Sequence, residues 1–346
     1  MFTFTPQMKI AVVILNWNGI SYLKRFLPGV VKSCEGIATV VIADNASTDG
    51  SLAYLSQNFP SVTVIQNDEN YGFAKGYNLA LQQIEAEYYI LLNNDIEVTP
   101  GWIEPVVDLM DHDPSIGACQ PKILSQTEKS KFEYAGAAGG FIDHFGYPFC
   151  RGRIFQAVET DHGQYNDTRE IFWATGACMF VRAKCYHEVE GLDDDFFAHM
   201  EEIDFCWRIK HLGYKVMYCG QSVVYHVGGG SLDKSSPRKT YLNMRNNSTM
   251  LYKNLPRERL YPVFIIRFFL DLAASLKFLL DGGFGHFKAV SRAQIGFYFS
   301  YRKNRAKRGK IQHRRVSQIF HGNIVFIHFL KRIKAFSQLN PDKFSI

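Results

Sequence analysis

Asp95 closes an apolar run, Tyr88-Tyr89-Ile90-Leu91-Leu92, behind the two amides Asn93 and Asn94. Apolar residues stopped by turn formers predict a buried strand, and in open α/β sheets ligands collect beyond the carboxyl ends of strands. A carboxylate there suits Mg²⁺ or Mn²⁺, which prefer oxygen ligands and leave positions for substrate phosphates. Turn chemistry alone also puts Asn and Asp after strands, so Asp95 needs company to mean more. Glu201, Glu202 and Asp204 supply it, three carboxylates within four positions at the head of a predicted helix running to about residue 212. Acids in a first turn can simply complement the helix dipole. These lie between Phe196-Phe197 and Phe205-Cys206-Trp207, and carboxylates in apolar company are candidates for general-base work. His226 follows the apolar run Val223-Val224-Tyr225 and precedes three glycines. A lone His is usually structural, and Asp95 is the partner that would make it more.

These residues need a scaffold, and residues 9–92 describe one. Short β-branched runs at 10–15, 39–43, 62–65 and 88–92 alternate with helical stretches at 21–33, 51–58 and 73–84. Repeated βα units predict a mostly parallel sheet covered by helices. Each strand ends in polar residues on one side of the sheet: Asn16 and Asn18, Asp44 and Asn45, Asn67, then Asn93 and Asp95. Turn propensity explains each singly, whereas their common placement describes a nucleotide cleft. Asp44 can accept hydrogen bonds from a base or ribose, while Ser47 or Asp49 can serve as a helix N-cap. In the segment from Asn70 to Asn78, small residues allow close backbone approach and Lys75 can meet phosphate, or the glycines merely start a helix.

After Pro100 the alternation breaks down, and residues 132–169 read as a long functional loop rich in Gly and aromatics. Residues 171–182 return to a strand-like run, with Trp173 either stacking on a sugar face or filling the core, and Gly176 marking a bulge or close approach. Trp173, Thr175 and Gly176 are the acceptor-side candidates. The expected division is a catalytic domain over 8–250 and a helical extension over 251–346. Within that extension, residues 259–280 are strongly apolar but interrupted by Arg267, Asp271 and Lys277, which predicts an amphipathic helix lying in a membrane interface.

Charge supports that expectation. Residues 301–346 hold twelve Lys/Arg against one acid, a balance of +11 in a chain whose total is +6. Basic tails serve nucleic acid or anionic membranes; here no nucleic-acid module accompanies the tail, and a membrane anchor fits its apolar neighbours. The seven cysteines form no C-x-x-C pair, which excludes a zinc ribbon and argues for a reducing compartment. The opening stretch lacks the basic region and long apolar core of a signal peptide.

Four motifs together resemble the inverting family-2 glycosyltransferases of GT-A fold, most closely the rhamnosyltransferase-like members that build bacterial surface polysaccharides. They are VILNWNG, ADNASTDGS, NYGFAKGYN with LLNND, and FFAHMEEIDFCWR followed by VVYHVGGG. The resemblance spans about residues 8–250. It implies an α/β GT-A fold with a Rossmann-like, mostly parallel sheet, and a nucleotide site built from Asp44 with Asn16, Asn18, Asn45, Asn70, Lys75 and Asn94. It sets Asp95 at the metal-binding DxD position, with Asn93 in place of the first carboxylate and His226 completing the shell of a divalent metal, Mg²⁺ or Mn²⁺. Glu202 matches the base position, with Glu201 or Asp204 able to share the task. The implied partners are a nucleotide-diphosphate sugar donor, dTDP-rhamnose or a UDP-sugar, and a saccharide or lipid-linked acceptor. No nucleic-acid partner is expected. The implied location is the cytoplasm, peripheral on the inner face of the membrane.

Other classes fit less well. A sugar-phosphate nucleotidyltransferase needs a Gly-rich, Arg-containing loop after the first strand, where this chain reads Asn16-Trp17-Asn18-Gly19. A dinucleotide enzyme needs G-x-G-x-x-G there. A processive synthase would carry a Q-x-x-R-W segment and clean membrane spans. An inactive carbohydrate-binding protein accounts for the single-carboxylate metal motif but leaves Glu202 and His226 without a purpose.

Overall fold

The computed structural model describes residues 8–228 and 236–346. Gly229 and Gly230 of the expected glycine turn lie outside them. The first half follows the periodicity: β1 (Met8–Asn16), α1 (Ile20–Cys34), β2 (Thr39–Asp44), α2 (Ser51–Asn58), β3 (Thr63–Gln66), α3 (Gly72–Leu81) and β4 (Ala86–Asn93). Strands β1 and β2 are near-continuous apolar runs because helices cover the sheet; α1 turns Leu23, Phe26, Leu27 and Val30 inward on one stripe. The four strands pair in parallel in the order β3-β2-β1-β4. Their register sets Asn16 opposite Asp44, Asp44 opposite Gln66, and Leu15 opposite Asn93, so the polar ends line one edge.

Past Asp95 the order changes. β5 (Ile96–Val98), α4 (Glu104–His112) and β6 (Ile116–Ser125) precede four short strands, β7 (Gly140–Asp143), β8 (Pro148–Cys150), β9 (Arg153–Ile154) and β10 (Ala157–Val158). Then come β11 (Thr168–Ile171), β12 (Cys178–Arg182), α5 (Ala183–Glu188), α6 (Glu201–His211) and β13 (Lys215–His226). The main sheet runs β11-β13-β6-β12-β4-β1-β2-β3, with β5 on β13. It is mixed rather than mostly parallel. β12 lies antiparallel between β4 and β6, and β11 and β5 lie antiparallel to β13, because these strands arrive from long excursions rather than through crossover helices.

The C-terminal part adds α7 (Pro237–Asn254), α8 (Arg257–Leu280), α9 (Phe284–Phe299), α10 (Tyr301–Gly309), β14 (Ile319–Phe320) and α11 (Ile324–Phe329). The stretch expected as a loop, 132–169, instead forms most of a second sheet, β10-β9-β8-β7-β14. Strands of two to four residues leave too little alternation to read. The expected division after residue 250 falls inside α7, and β14 closes the second sheet by pairing in parallel with β7. The rings of Phe336 and Phe344 pack against Phe141, and Phe320 edge-on against Phe149, so the chain beyond 250 is packed into the same core.

Helix α8 is inverted relative to an ordinary soluble helix. It buries Arg267 and Asp271, which pair at 3.2 Å, with Arg267 over the Tyr147 ring and donating to the Phe145 carbonyl. Outward it presents Ile265, Phe268, Phe269, Leu272 and Leu276. No helix among the described residues is long and apolar enough to cross a membrane.

Candidate active site

The polar strand ends form one hydrogen-bonded network. Asn16 Nδ2 donates to Asp44 Oδ1 at 3.0 Å and to Ser47 Oγ at 3.1 Å, while its Oδ1 accepts from Asn94 Nδ2 at 2.9 Å. Ser47 N donates to the other Asp44 oxygen. Asn67 Nδ2 donates to Asn45 Oδ1, and Asn45 Nδ2 to the Gly72 carbonyl at the head of α3. Gly19 must lack a side chain here, since a Cβ would fall 2.1 Å from Asn94 Nδ2. Asp44, the expected nucleotide acceptor, has no exposed surface, and each of its oxygens accepts one of these hydrogen bonds. Asn18 is exposed, with Oδ1 accepting from Thr48 N. Asn70 turns its Oδ1 to Gly72 N. The Lys75 ammonium lies 3.7 Å over the Tyr71 ring, a cation–π contact.

Register also brings the metal candidates together. β13 pairs antiparallel with β5, setting His226 opposite Ile96, and His226 Nε2 lies 3.1 Å from Asp95 Oδ1. His226 Nδ1 faces Glu133 Oε2 at 3.4 Å, and the Asn93 amide is 3.5 Å from Nε2. Burial alone would keep the imidazole neutral, but the hydrogen bonds and charges of Asp95 and Glu133 raise it to about 10. For Asp95, burial pushes the carboxyl upward and His226 more than offsets it, holding it below its ordinary value. The imidazolium thus occupies the centre of an acid–base–acid row.

Among the described residues no three His, Cys, Asp or Glu side chains form a ready metal-binding group. The donor set nevertheless fits a divalent ion. An Asp95 oxygen and a His226 imidazole nitrogen, 3.1 Å apart, are donor types that such an ion takes. Glu133 stands where an outer carboxylate orients a ligating imidazole. One carboxylate and one imidazole leave several positions for phosphate oxygens.

The acid pair begins α6. Glu201 is buried and Glu202 partly so, and the Oε2 atom of each has no hydrogen-bond partner among the described residues. Burial raises the Glu202 carboxyl to about 7. Burial and then the neighbouring Glu202 hold Glu201 well above the ordinary range. Preceding them, Phe197, His199 and Met200 all have positive φ, at 62°, 70° and 73°. Three such residues in four are costly and need outside support. Asn246 of α7 supplies it, donating to the carbonyls of Phe196, Ala198 and His199. The Phe197 carbonyl accepts from Phe73 N of α3, which ties the base loop to the nucleotide side.

Comparisons with known proteins bear on the family and the fold. The sequence model of glycosyl transferase family 2 matches residues 11–189, more than half of the chain. The chain belongs to glycosyl transferase family 2. It is rhamnosyltransferase-like: over 233 residues it is 25% identical to the N-acetylglucosaminyl-diphospho-decaprenol L-rhamnosyltransferase of Mycobacterium tuberculosis, covering 63% of this chain and 75% of that one. It is 24% identical over 217 residues to rhamnosyltransferase WbbL of Escherichia coli, covering 60% and 80%. Solved structures share the fold. S. aureus TarS 1-349 in complex with UDP-GlcNAc aligns over 83% of this chain and 80% of its own at a TM-score of 0.55 and 15% identity. GalNAc-T7 with UDP, GalNAc and Mn²⁺ aligns over 73% of this chain, which spans about half of that structure (49%), at 0.55 and 17%. The mixed α/β sheet is consistent with GT-A.

In this glycosyltransferase Asp204 does not stand with the base candidates. It is fully buried and accepts from Arg208 Nε, Lys253 Nζ and Asn254 Nδ2, each at 2.8 Å, which makes it the anchor of α7 on α6. Asp204→Ala is expected to lower stability by about 3 kcal/mol, since the buried Lys253 and the partly buried Arg208 each lose a partner. A shift in the urea midpoint at constant slope checks this. A midpoint like wild type's would show that Lys253 is satisfied by Asp193 alone.

The acceptor-side candidates are also corrected. Trp173 is a core residue, its ring stacked where a Gly140 Cβ would collide at 2.1 Å and its Nε1 donating to the Phe141 carbonyl. Thr175 is buried, its N donating to Gln120 and its Oγ1 accepting from Ala177 N; Gly176 packs on Phe73. Residues missed by the sequence reading are Glu133, Asn246 and the exposed Trp17, 46% accessible just past β1. Trp17 carried a readable signal, an indole between two asparagines at a strand end. Glu133 and Asn246 carried none, because their partners are far along the chain.

Proposed function

We propose that the protein transfers a sugar from a nucleotide-diphosphate sugar, dTDP-rhamnose or a UDP-sugar, to a saccharide or lipid-linked saccharide acceptor. The transfer is a single displacement with inversion, assisted by Mg²⁺ or Mn²⁺. The observation that carries this reading is the Glu202 Oε2, without a hydrogen-bond partner among the described residues, at the head of a helix whose preceding loop is tied through Phe197 and Phe73 to the polar strand ends. The rhamnosyltransferase relatives favour a deoxyhexose donor and a lipid-linked acceptor in surface-polysaccharide synthesis. The nucleotide sits against Trp17, Asn18, Asn70 and Lys75, with Asn16, Asp44, Asn45 and Asn94 bracing the loops beneath.

Glu202 accepts the proton of the acceptor hydroxyl as its oxygen attacks the anomeric carbon. The bond from that carbon to the diphosphate breaks, and the electron pair leaves with the nucleoside diphosphate. Asp95 and His226 would hold the divalent ion, which when bound offsets the charge growing on the leaving group. Asn93 lies beside them, and Glu133 orients the imidazole. Titrating the protein with a panel of nucleotides, with and without Mn²⁺, tests the donor side. No nucleotide binding in either condition would reject the reading, and a product that keeps the donor's anomeric configuration would reject inversion.

The catalytic part is assigned to residues 8–250, and residues 259–334 to docking on an anionic membrane, which places the enzyme peripherally at the inner face. The inverted α8 supports this, because a water-facing helix ordinarily buries its apolar side and exposes its charges. Replacing Phe268, Phe269, Leu272 and Leu276 by serine is expected to abolish co-sedimentation with phosphatidylglycerol vesicles without lowering thermal stability, since all four are exposed. Binding by the unaltered protein should weaken with salt. A wild-type protein that ignores such vesicles at low ionic strength rejects the assignment.

A further inference from the structure

Helices α7 and α9 pack closely at two places, where a Cβ on Gly285 would lie 3.0 Å from Pro237 and one on Gly296 2.8 Å from the Tyr241 hydroxyl. Between these contacts lies a cleft of about 640 Å³ lined by Arg238, Lys288 and Arg292, with Tyr241 and Ile295 and no acidic residue. All three cations are exposed, and none forms a salt bridge among the described residues. The neighbouring α10 behaves otherwise, with Lys303, Lys307 and Lys310 each paired to a carboxylate. Three cations facing one cleft, with no carboxylate among the described residues that line it, repel one another, and a bound polyanion relieves that repulsion.

The surroundings narrow the anion. On α9, Phe284, Lys288, Arg292, Ile295 and Phe299 recur at spacings of four, four, three and four, which places them on one helical stripe. Phe284, Ile295 and Phe299 are 64%, 55% and 88% exposed, so two adjacent cations sit within a solvent-facing apolar stripe. An amphiphile with a doubly phosphorylated head and a hydrocarbon tail matches that pattern. The cleft also touches the catalytic loop. Arg238 lies 5.1 Å over the Phe197 ring, and Arg245, over the Tyr241 ring, donates to the carbonyls of Asp195 and Phe196.

We propose that this cleft binds the diphosphate of a lipid-linked saccharide acceptor, with the lipid along the apolar stripe of α9 and the sugar directed toward the base loop. The inference rests on the reading of the enzyme as a transferase to such an acceptor. Farnesyl diphosphate in neutral detergent with EDTA is the probe, the chelator keeping the diphosphate off any metal. Wild type is expected to bind it at least about tenfold more tightly than farnesol, and R238Q/K288Q/R292Q to lose at least about tenfold, with K288R/R292K retaining binding. Unchanged circular dichroism separates this loss from misfolding. Equal binding of farnesol, or an unaffected triple variant, overturns the proposal. Inorganic pyrophosphate binding as tightly as farnesyl diphosphate overturns its lipid part. A triple variant that loses phosphatidylglycerol vesicles but keeps the probe would assign the cations to the membrane surface and overturn it as well. Nucleotide-sugar hydrolysis by the wild-type enzyme reads the donor site separately, so its absence counts against the proposed function and not against the cleft.

Discussion

Glu202→Gln is expected to lower turnover by roughly 10²–10⁴-fold, the usual contribution of a positioned general base, while donor affinity stays near wild type. The substitution keeps the shape of the side chain and removes proton acceptance. Burial raises this carboxyl to about 7, so near neutrality a substantial fraction is ionised and still basic enough to take a hydroxyl proton. The sign of the pH dependence follows. A base must be deprotonated, so kcat/KM should rise with pH to a plateau above about 7, and the acidic limb should vanish in the variant. Glu201, held protonated near neutrality by burial and by its neighbour, has no free base form to offer there, and Glu201→Gln should be milder. Full turnover in Glu202→Gln would move the role to Glu201. Asp204 is not the alternative, because its carboxylate is consumed by Arg208, Lys253 and Asn254.

Asp95→Ala should remove the Mn²⁺-dependent part of UDP or dTDP binding in calorimetry, together with most of the turnover. Asp95 is the only carboxylate in Asn93-Asn94-Asp95, and neutral amides cannot replace its charge toward a hard cation. His226 is held protonated between Asp95 and Glu133 and must release that proton to serve as a ligand, so metal affinity should rise with pH. Glu133→Gln tests the outer position, with a loss of about 10–100-fold in metal affinity. Wild-type binding with metal in Asp95→Ala would remove Asp95 from the site. An unaltered affinity in Glu133→Gln would leave Glu133 as a charge partner of His226 and nothing more.

The sequence by itself determined the elements whose signals are local. The alternation of β-branched runs with helical stretches marked β1 to β4 and α1 to α3 to within about three residues at each end, and turn formers at each strand end marked Asn16, Asp44, Asn67 and Asp95 as neighbours. Glu202 was legible because its apolar flanks are adjacent in the chain. What only the tertiary structure decided involves residues brought together from far apart. Glu133 meets His226 across 93 positions through the pairing of β6 with β13, and nothing beside Glu133 in the sequence announces that contact. Asp204 differs from Glu202 by two positions, yet on the helix those positions point apart: Asp204 meets Lys253 and Asn254 of α7, whereas Glu202 Oε2 has no hydrogen-bond partner among the described residues. Trp173 became core because Gly140, 33 residues earlier, leaves room for an indole against the backbone. The apolar run of α8, interrupted by Arg267, Asp271 and Lys277, predicted an amphipathic helix, and only packing showed that Arg267 and Asp271 turn inward. Side-chain direction depends on which face meets Tyr147 and Phe145, and periodicity within one helix cannot name the surface on the other side.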